Sequence, residues 1–346
     1  MTQKHNILIT GASGFIGGHV VKYFVAKRLK LACLVRKNSD LSFIDHLPIK
    51  IIYGDISDPE SISRAMEGID AVIHIAGMTT DWGKSSTFKR INVDGTMNVM
   101  KAAHLHKINN VIITGSISSY GEEHSEEVKD ELSPYNSHYP YFLHKIFPNG
   151  MNHYRDSKRL ATKMAIEFAQ NNDINLSVME PVWVYGENEF SSGFYEYIKS
   201  ASKGVFAMPG SKNNNFHIVY AQDLAEAYYR AFDKKIKGVH RYIIGNETAV
   251  NMNILFGEFC REAGARKPLN LPKAMTYPIG FFLELLATIF KFKQPPLLTR
   301  ARVNMFYDNI EYNPEKAYKI LSFKASTPME PGIKKTVRWY KQNKYL

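Results

Sequence analysis

The sequence predicts an α/β protein, with a doubly wound parallel sheet in its first half and a smaller, interleaved α+β lobe toward the C-terminus. Three observations predict it. From Asn6 onward short apolar runs alternate with helix-period stretches. The runs are continuous in Val, Ile and Leu rather than alternating, as strands buried on both faces require. Strands interleaved with helices in this way imply parallel crossovers of a single hand. With 346 residues, 45% of them apolar, the chain can bury one large core and a smaller lobe.

Each element follows from its own segment. Asn6-Ile-Leu-Ile-Thr10 reads as the first strand, and residues 15 to 28 as a helix with Ile16, Val20, Tyr23 and Phe24 on one face. Four further strands are predicted over 31–35, 49–53, 71–75 and 111–114, with helices over 58–67 and 87–106 between the later ones. A helix over 154–170 and a sixth strand over 174–179 come next. Beyond Pro181 the pattern loosens into a helix over 222–232, a strand over 241–244 and more helices. No internal repeat or low-complexity linker interrupts it.

Composition narrows the function classes. Cys33 and Cys260 are the only cysteines, too few for a disulfide framework or a cysteine metal site, which fits a reducing compartment. Residues 1–6 run straight into a strand without a basic-then-apolar leader, so a cytoplasmic location is expected. The net charge is +11, and from Arg261 onward sixteen Lys/Arg stand against six Asp/Glu. Anionic lipid, an acidic substrate and a merely solvated surface are all open readings of that excess. Nucleic acid is not expected, because no binding module is recognisable.

The first strand ends in Thr10-Gly11-Ala-Ser13-Gly14-Phe15-Ile16-Gly17. One glycine allows the tight turn, a second lets backbone approach a diphosphate, and a third lets helix pack on strand. The helix N-terminus then offers N–H groups to phosphate. Its place between a first strand and a helix is the context a Rossmann dinucleotide site demands. Where NAD sites carry an acid at the end of the second strand, this chain has Arg36-Lys37. Two cations suit the 2′-phosphate of NADP, with Arg36 able to fork onto it. NAD, with Arg36 only stacked on adenine, is the alternative.

At this point the sequence resembles the extended short-chain dehydrogenase/reductase family, the NAD-dependent epimerase/dehydratase type, along most of its length. Gly54-Asp55-Ile56-Ser-Asp58 is similar to the third-strand motif, implying that Asp55 bonds the adenine amino group and Ile56 packs on the ring. Val72-Ile-His74-Ile-Ala76-Gly77 resembles the segment beneath the diphosphate and ribose, and Asn92-Val-Asp-Gly95-Thr96 the helix motif whose asparagine braces the sheet. Tyr154-Arg-Asp-Ser-Lys158 supplies the chemistry the resemblance implies. Positions i and i+4 share a helix face, so the Lys158 ammonium can favour the Tyr154 phenolate, whose unperturbed pKa is about 10. Tyr154 then exchanges a proton with the substrate oxygen as hydride moves to or from the nicotinamide. Ser116, four residues before Tyr120-Gly121, matches the serine that donates to the carbonyl, with Ser118 as the alternative register. Glu180-Pro181-Val-Trp183-Val184-Tyr185-Gly186 resembles the segment passing the nicotinamide, implying cofactor contacts from Pro181 and Val184, but Glu180 stands where arginine is usual. Thr79, Ser118 and Trp183 are the expected substrate contacts.

The resemblance divides the chain into an NADP-binding core, 1–180, and a mainly substrate-binding lobe, 181–346, with segments returning to the core. Departures from the family point away from nucleotide sugars. Ser116-Ile117-Ser118 lacks the Asp-Glu pair of the dehydratases, and Trp183 and Asn214 stand where epimerases place an asparagine and a diphosphate-clamping arginine. What remains resembles the 3β-hydroxysteroid dehydrogenase branch, implying a secondary alcohol or ketone on a hydrophobic, steroid-like or long-chain 3-hydroxy/3-keto substrate. A nucleotide-sugar epimerase or reductase is the alternative, and a non-catalytic NADP sensor or scaffold a third reading. Residues 274–290 are strongly apolar yet too short to span a bilayer, so 274–293 is a candidate peripheral membrane contact, with Lys291 and Lys293 at headgroup level; a buried helix or the wall of a substrate channel are the other readings. The histidine- and aromatic-rich stretch 122–153 is a candidate substrate lid, and its histidines lack metal-ligand spacing, so no metal is expected. The family often forms dimers, which implies a homodimer here.

Overall fold

The computed structural model describes residues 6–121 and 127–346. Seven parallel strands form the central sheet: β1 (Asn6–Thr10), β2 (Lys30–Val35), β3 (Lys50–Tyr53), β4 (Ala71–His74), β5 (Asn110–Thr114), β6 (Asn175–Pro181) and β7 (Val239–Ile244). Their spatial order is β7-β6-β5-β4-β1-β2-β3, a doubly wound sheet whose strand order reverses between β1 and β4. Apolar side chains leave both faces. Ile7 and Ile9 enter the layer of α1 (Phe15–Ala26) with Val20 and Phe24, while Leu8 enters the opposite layer with Ile62, Val99 and Ala165. Continuous apolar strands are therefore sandwiched between helices, as expected.

The helices on the second face position the site. Helix α2 (Pro59–Ala65) is capped by Asp58, whose carboxylate accepts from Glu60 N. The single helix expected over 87–106 is interrupted. Residues 85–88 are α-helical, Lys89–Asp94 form a π-turn, and α3 (Gly95–Leu105) resumes the α-helix. Gly95 lets this helix ride on β3's exit, since a Cβ there would lie 2.9 Å from the Ile56 side chain. Helix α4 (Gly150–Asn171) starts four residues earlier than periodicity indicates, because Asn149 caps it by accepting from Met151 N at 2.8 Å.

Residues 181–346 do not form an independent body. Strand β7 pairs with β6, and α5 (Ala221–Lys234) packs on α1. Three small two-stranded sheets and helix α6 (Lys273–Ile289) make the outer lobe. Arg300, at the start of α7 (Arg300–Met305), is fully buried beside the equally buried Glu284 of α6. The guanidinium meets both Glu284 oxygens, at 3.0 and 2.8 Å, and also the carbonyls of Phe142 and Phe147. Glu284 Oε1 in turn accepts from Asn149 Nδ2 at 2.7 Å. One ion pair thus fastens the outer lobe to the cap of α4. Arg300→Met strands the Glu284 charge, so a loss of about 3–5 kcal/mol is expected by urea unfolding, partly regained when Glu284→Gln is added. An Arg300→Met loss under about 1 kcal/mol contradicts this role.

Candidate active site

The carboxyl ends of β1, β4, β5 and β6 lie side by side along one edge of the sheet, and those of β2 and β3, which lead into Arg36-Lys37 and Asp55-Ile56, continue the same edge. Gly11 has a positive φ of 74° and abuts β4's exit, where a Cβ would lie 2.5 Å from Ala76 N. A Cβ on Gly17 would lie 2.0 Å from the Gly11 carbonyl oxygen, so α1 can approach the loop only with glycine there. Helix α1 has no side-chain cap and no acid in its first turn. The Gly14 N–H closes the turn onto the Gly11 carbonyl at 3.0 Å, and the first N–H groups of the helix, in residues 15–17, thus face the loop with Ser13, as a diphosphate requires. The residues present fit a dinucleotide on this observation.

The far end of that site is a 560 Å³ cleft beyond β2 and β3, lined by Arg36, Lys37, Tyr53, Asp55, Asp58 and Arg64. Arg64 was not expected from the sequence; it reaches the cleft from α2, one turn past the segment that motif spacing highlights. Burial opposes ionisation of Asp55, but bonds from Ser57 and the charges of Arg36 and Arg90 hold its carboxyl below the usual range. Ile56 is nearly buried and packs against α3 at Gly95.

Beneath the loop runs a directional chain of polar contacts that the sequence did not announce. Thr96 Oγ1 donates to Asn92 O at 2.6 Å, so it accepts from His74 Nε2 at 3.0 Å. His74 Nδ1 is then the acceptor for Thr10 Oγ1 at 2.8 Å, and Thr10 accepts from Ala76 N at 3.3 Å. Burial, aided by the Lys158 charge, lowers the His74 pKa to about 3, consistent with a neutral ring. Asn92 uses its whole amide. Oδ1 accepts from Met78 N at 2.7 Å, and Nδ2 donates to Met78 O at 3.1 Å and to Ser157 Oγ at 2.9 Å. It ties the loop after β4, which carries Ala76, Gly77 and Thr79, to α4, rather than bracing the sheet itself.

Helix α4 then presents Tyr154 and Lys158 to the end of β5. The Tyr154 hydroxyl donates to Ser116 Oγ at 3.4 Å, and Lys158 Nζ donates to Thr114 O at 2.5 Å. Ser116 Oγ also accepts from Ser118 N at 3.2 Å, and the two serine oxygens are 2.7 Å apart. With both its lone pairs used, Ser116 turns its own proton to Ser118. The phenol meets Ser116, not Ser118. Burial lowers the Lys158 amine to about 8, with the Glu180 charge pulling the other way. Glu180 is fully buried and accepts from the hydroxyls of Tyr120, at 2.6 Å, and Tyr135. Burial raises its pKa, against those bonds and the nearby Arg241, whose guanidinium lies 4.6 Å from the Tyr135 ring centre. Trp183 donates from Nε1 to Ser192 O and packs on Phe216, Val184 is buried in the strand beside it, and Pro181 closes β6.

Of the stretch expected to act as a lid, 122–126 lie outside the described residues. The rest is stitched down by Lys129 Nζ to the Tyr120 and Gly121 carbonyls, by Ser137 Oγ to Asp156 and by Tyr139 N to Asn152 Oδ1. Among the described residues no cluster of three His, Cys, Asp or Glu could hold a metal, and none of their helices is long and apolar enough to cross a membrane.

Comparison with known proteins gives a consistent setting. The model of the NAD-dependent epimerase/dehydratase family matches residues 7–149 and 147–245. An N-acetyl-alpha-D-glucosaminyl-diphospho-ditrans,octacis-undecaprenol 4-epimerase of Escherichia coli O157:H7 is 25% identical, over 97% of this chain and 96% of its own length. A 2-alkyl-3-oxoalkanoate reductase of Shewanella oneidensis is 23% identical, over 94% and 84%. A decarboxylating sterol-4-alpha-carboxylate 3-dehydrogenase of Schizosaccharomyces pombe is 24% identical, over 97% of both. Among solved structures, a dTDP-glucose 4,6-dehydratase of Bacillus anthracis in complex with NAD superimposes with a TM-score of 0.74 at 17% identity, over 99% of this chain and 98% of that one.

His74 makes this region pH-sensitive. Folded, it stays neutral down to about pH 3, whereas in the unfolded chain it takes a proton near 6.5. The unfolded state therefore binds more protons between these values, and stability falls as pH drops below 6.5. The stability advantage of wild type over His74→Gln, which cannot protonate, should narrow from pH 7 to pH 5. An advantage independent of pH contradicts the neutral-ring assignment.

Proposed function

The chain belongs to the NAD-dependent epimerase/dehydratase family of NAD(P)-dependent enzymes, and on that premise we propose that it is an NADP(H)-dependent oxidoreductase interconverting a secondary alcohol and a ketone on a hydrophobic substrate. The observation that carries this reading is the Tyr154 hydroxyl at 3.4 Å from Ser116 Oγ, with Lys158 one turn further along the same helix. A bound nicotinamide supplies or accepts hydride at the substrate carbon.

The chain's own groups handle the oxygen. Ser116 swings its proton from Ser118 to the carbonyl and holds it. Tyr154 delivers a proton to that oxygen in reduction and withdraws it in oxidation. Lys158, charged below about pH 8, favours the phenolate and bonds the nicotinamide ribose. Gly11, Ser13, Gly14, Phe15, Ile16 and Gly17 receive the diphosphate, Ala76, Gly77, Pro181 and Val184 border the nicotinamide half, and Asp55 and Ile56 hold adenine. Arg36 and Lys37, with Arg64 beside them in the same cleft, favour a 2′-phosphate and hence NADP. We assign cofactor binding to 1–180 and most substrate contacts to 181–346, with Thr79, Ser118 and Trp183 facing the substrate.

A steroid-like or long-chain 3-hydroxy/3-keto compound is the proposed substrate class. Two relatives favour it by what they act on, a sterol carboxylate and a 2-alkyl-3-oxoalkanoate. A second reading, epimerisation of a diphospho-linked sugar, is favoured by the 4-epimerase relative. Against it, Asn214 is buried and its Nδ2 is turned to Met252 and Asp308, away from an arginine clamp's task.

Three experiments test the reading. In a screen of sterol ketones, β-keto acids and sugar nucleotides, NADPH oxidation is expected with one of the first two classes. Tyr154→Phe should lower kcat about 10²–10⁴-fold with NADPH binding intact; undiminished turnover refutes the assignment. Arg36→Ala should weaken NADPH roughly 10–100-fold and leave NADH nearly unchanged. Equal affinity for both dinucleotides in wild type, with no change in the variant, overturns the assignment of NADP.

A further inference from the structure

Helix α6 is amphipathic the wrong way round for a protein that meets only water. Its buried stripe is Thr276, Gly280, Glu284 and Ala287, while Met275, Ile279, Phe282, Leu283, Leu286 and Ile289 point outward. In a soluble helix the large apolar side chains face the core. Gly280 and Ala287 let the helix lie close to the body, with a Cβ on Gly280 meeting Val303 and the Thr299 carbonyl at 2.9–3.1 Å. Glu284 spends its charge inward on Arg300. The outward face is thus uninterrupted by any carboxylate.

The loop before α4 extends the same surface. Phe142 packs edge-on against Phe281, with ring centres 5.3 Å apart, and its N–H donates to Tyr277 at 3.2 Å. Beside it Ile146 is 83% exposed, and beyond α6 Phe290 is 67% exposed, too high for side chains that merely rim a core. An apolar patch of this size on a folded chain marks an interaction surface. Lys145, Lys273, Lys291 and Lys293 surround it, and the only acid in 139–149 or 273–299 is the buried Glu284.

We propose that α6 and the 142–146 loop together dock this protein onto an anionic lipid bilayer, the helix lying in the interface rather than crossing it. The charge pattern selects this occupant. Two copies meeting face to face would bring four lysines against four, whereas acidic headgroups neutralise them. Seventeen residues with Pro278 inside are too few to cross, but they suffice to bury one apolar face at headgroup depth. The contact is wired to the catalytic helix. Glu284 bonds the cap of α4 through Asn149, and Trp82 Nε1 donates to Phe292 O at 3.0 Å, three residues from Thr79 in the loop after β4. A substrate held in the bilayer would meet the cleft beside its own solvent. The surface stands apart from the proton and hydride chemistry and does not depend on it.

Sedimentation with phosphatidylcholine vesicles, with and without 30% phosphatidylglycerol, tests it. Wild type is expected to partition onto the anionic vesicles. The triple variant Phe282→Ser/Ile289→Ser/Phe290→Ser, whose side chains are exposed, should lose partitioning roughly tenfold or more at unchanged Tm. Lys145→Glu/Lys291→Glu/Lys293→Glu should abolish the preference for phosphatidylglycerol. Wild type remaining in the supernatant at low salt overturns the proposal. So does a self-associated species in ultracentrifugation that the serine substitutions dissolve, since the patch would then belong to a second copy.

Discussion

The position of α4 relative to the sheet hangs on one buried amide. Asn92 holds both the N–H and the carbonyl of Met78 with one side chain and spends its remaining donor on Ser157. Ser157 passes the restraint on, donating to the Tyr154 carbonyl at 2.7 Å. The loop after β4, which we propose borders the dinucleotide, and the helix turn that carries the phenol are therefore set by the same group. The π-turn over Lys89–Asp94 is where this group sits. Such a turn inserts a residue into an α-helix and is found frequently at functional sites.

Around that amide the charges are few and buried. Lys158 is anchored on the Thr114 carbonyl, and Thr114 Oγ1 bonds His74 O and the Tyr228 hydroxyl, so the end of β5 is fixed from both faces. His74 stays neutral beneath the glycine loop, and Lys158 lies one turn from Tyr154 on the same helix. Glu180 replaces the arginine that the family pattern has at its position, and the surroundings have adjusted: two phenols donate to it, Arg241 lies over one of them, and Gly115 leaves it room, a Cβ there falling 2.7 Å from its Cγ. A carboxyl satisfied by two phenols thus stands at the end of β6.

Much of this was legible in the sequence because it is local. The strand ends, the glycine spacing and the i, i+4 relation of Tyr154 and Lys158 depend on residues within a few positions of one another. The contact of Ser116 with Tyr154 is in keeping with a register counted back from Tyr120-Gly121. What could not be read joins residues far apart in the chain. Arg64 enters the cleft beyond β2 and β3 only because α2 returns over β3, and the Glu284–Arg300 pair looks like an interruption in an apolar helix until α7 is folded beside it. The early start of α4 was hidden because Asn149 and Gly150 follow an aromatic run that carries no helical period. The break over 89–94 has no periodic signature either, since one inserted residue shifts the apolar stripe without erasing it.

The fold brings the Tyr154 phenol, the Lys158 amine and the Ser116 hydroxyl to the end of β5, where we propose the reactive ring of one dinucleotide lies. A crystal structure with NADP⁺ bound tests it most directly. The ring is expected over the Ser116–Tyr154 pair, with Lys158 Nζ on the adjoining ribose and the 2′-phosphate against Arg36. A dinucleotide lying elsewhere, or one whose nicotinamide turns away from Tyr154, would contradict it.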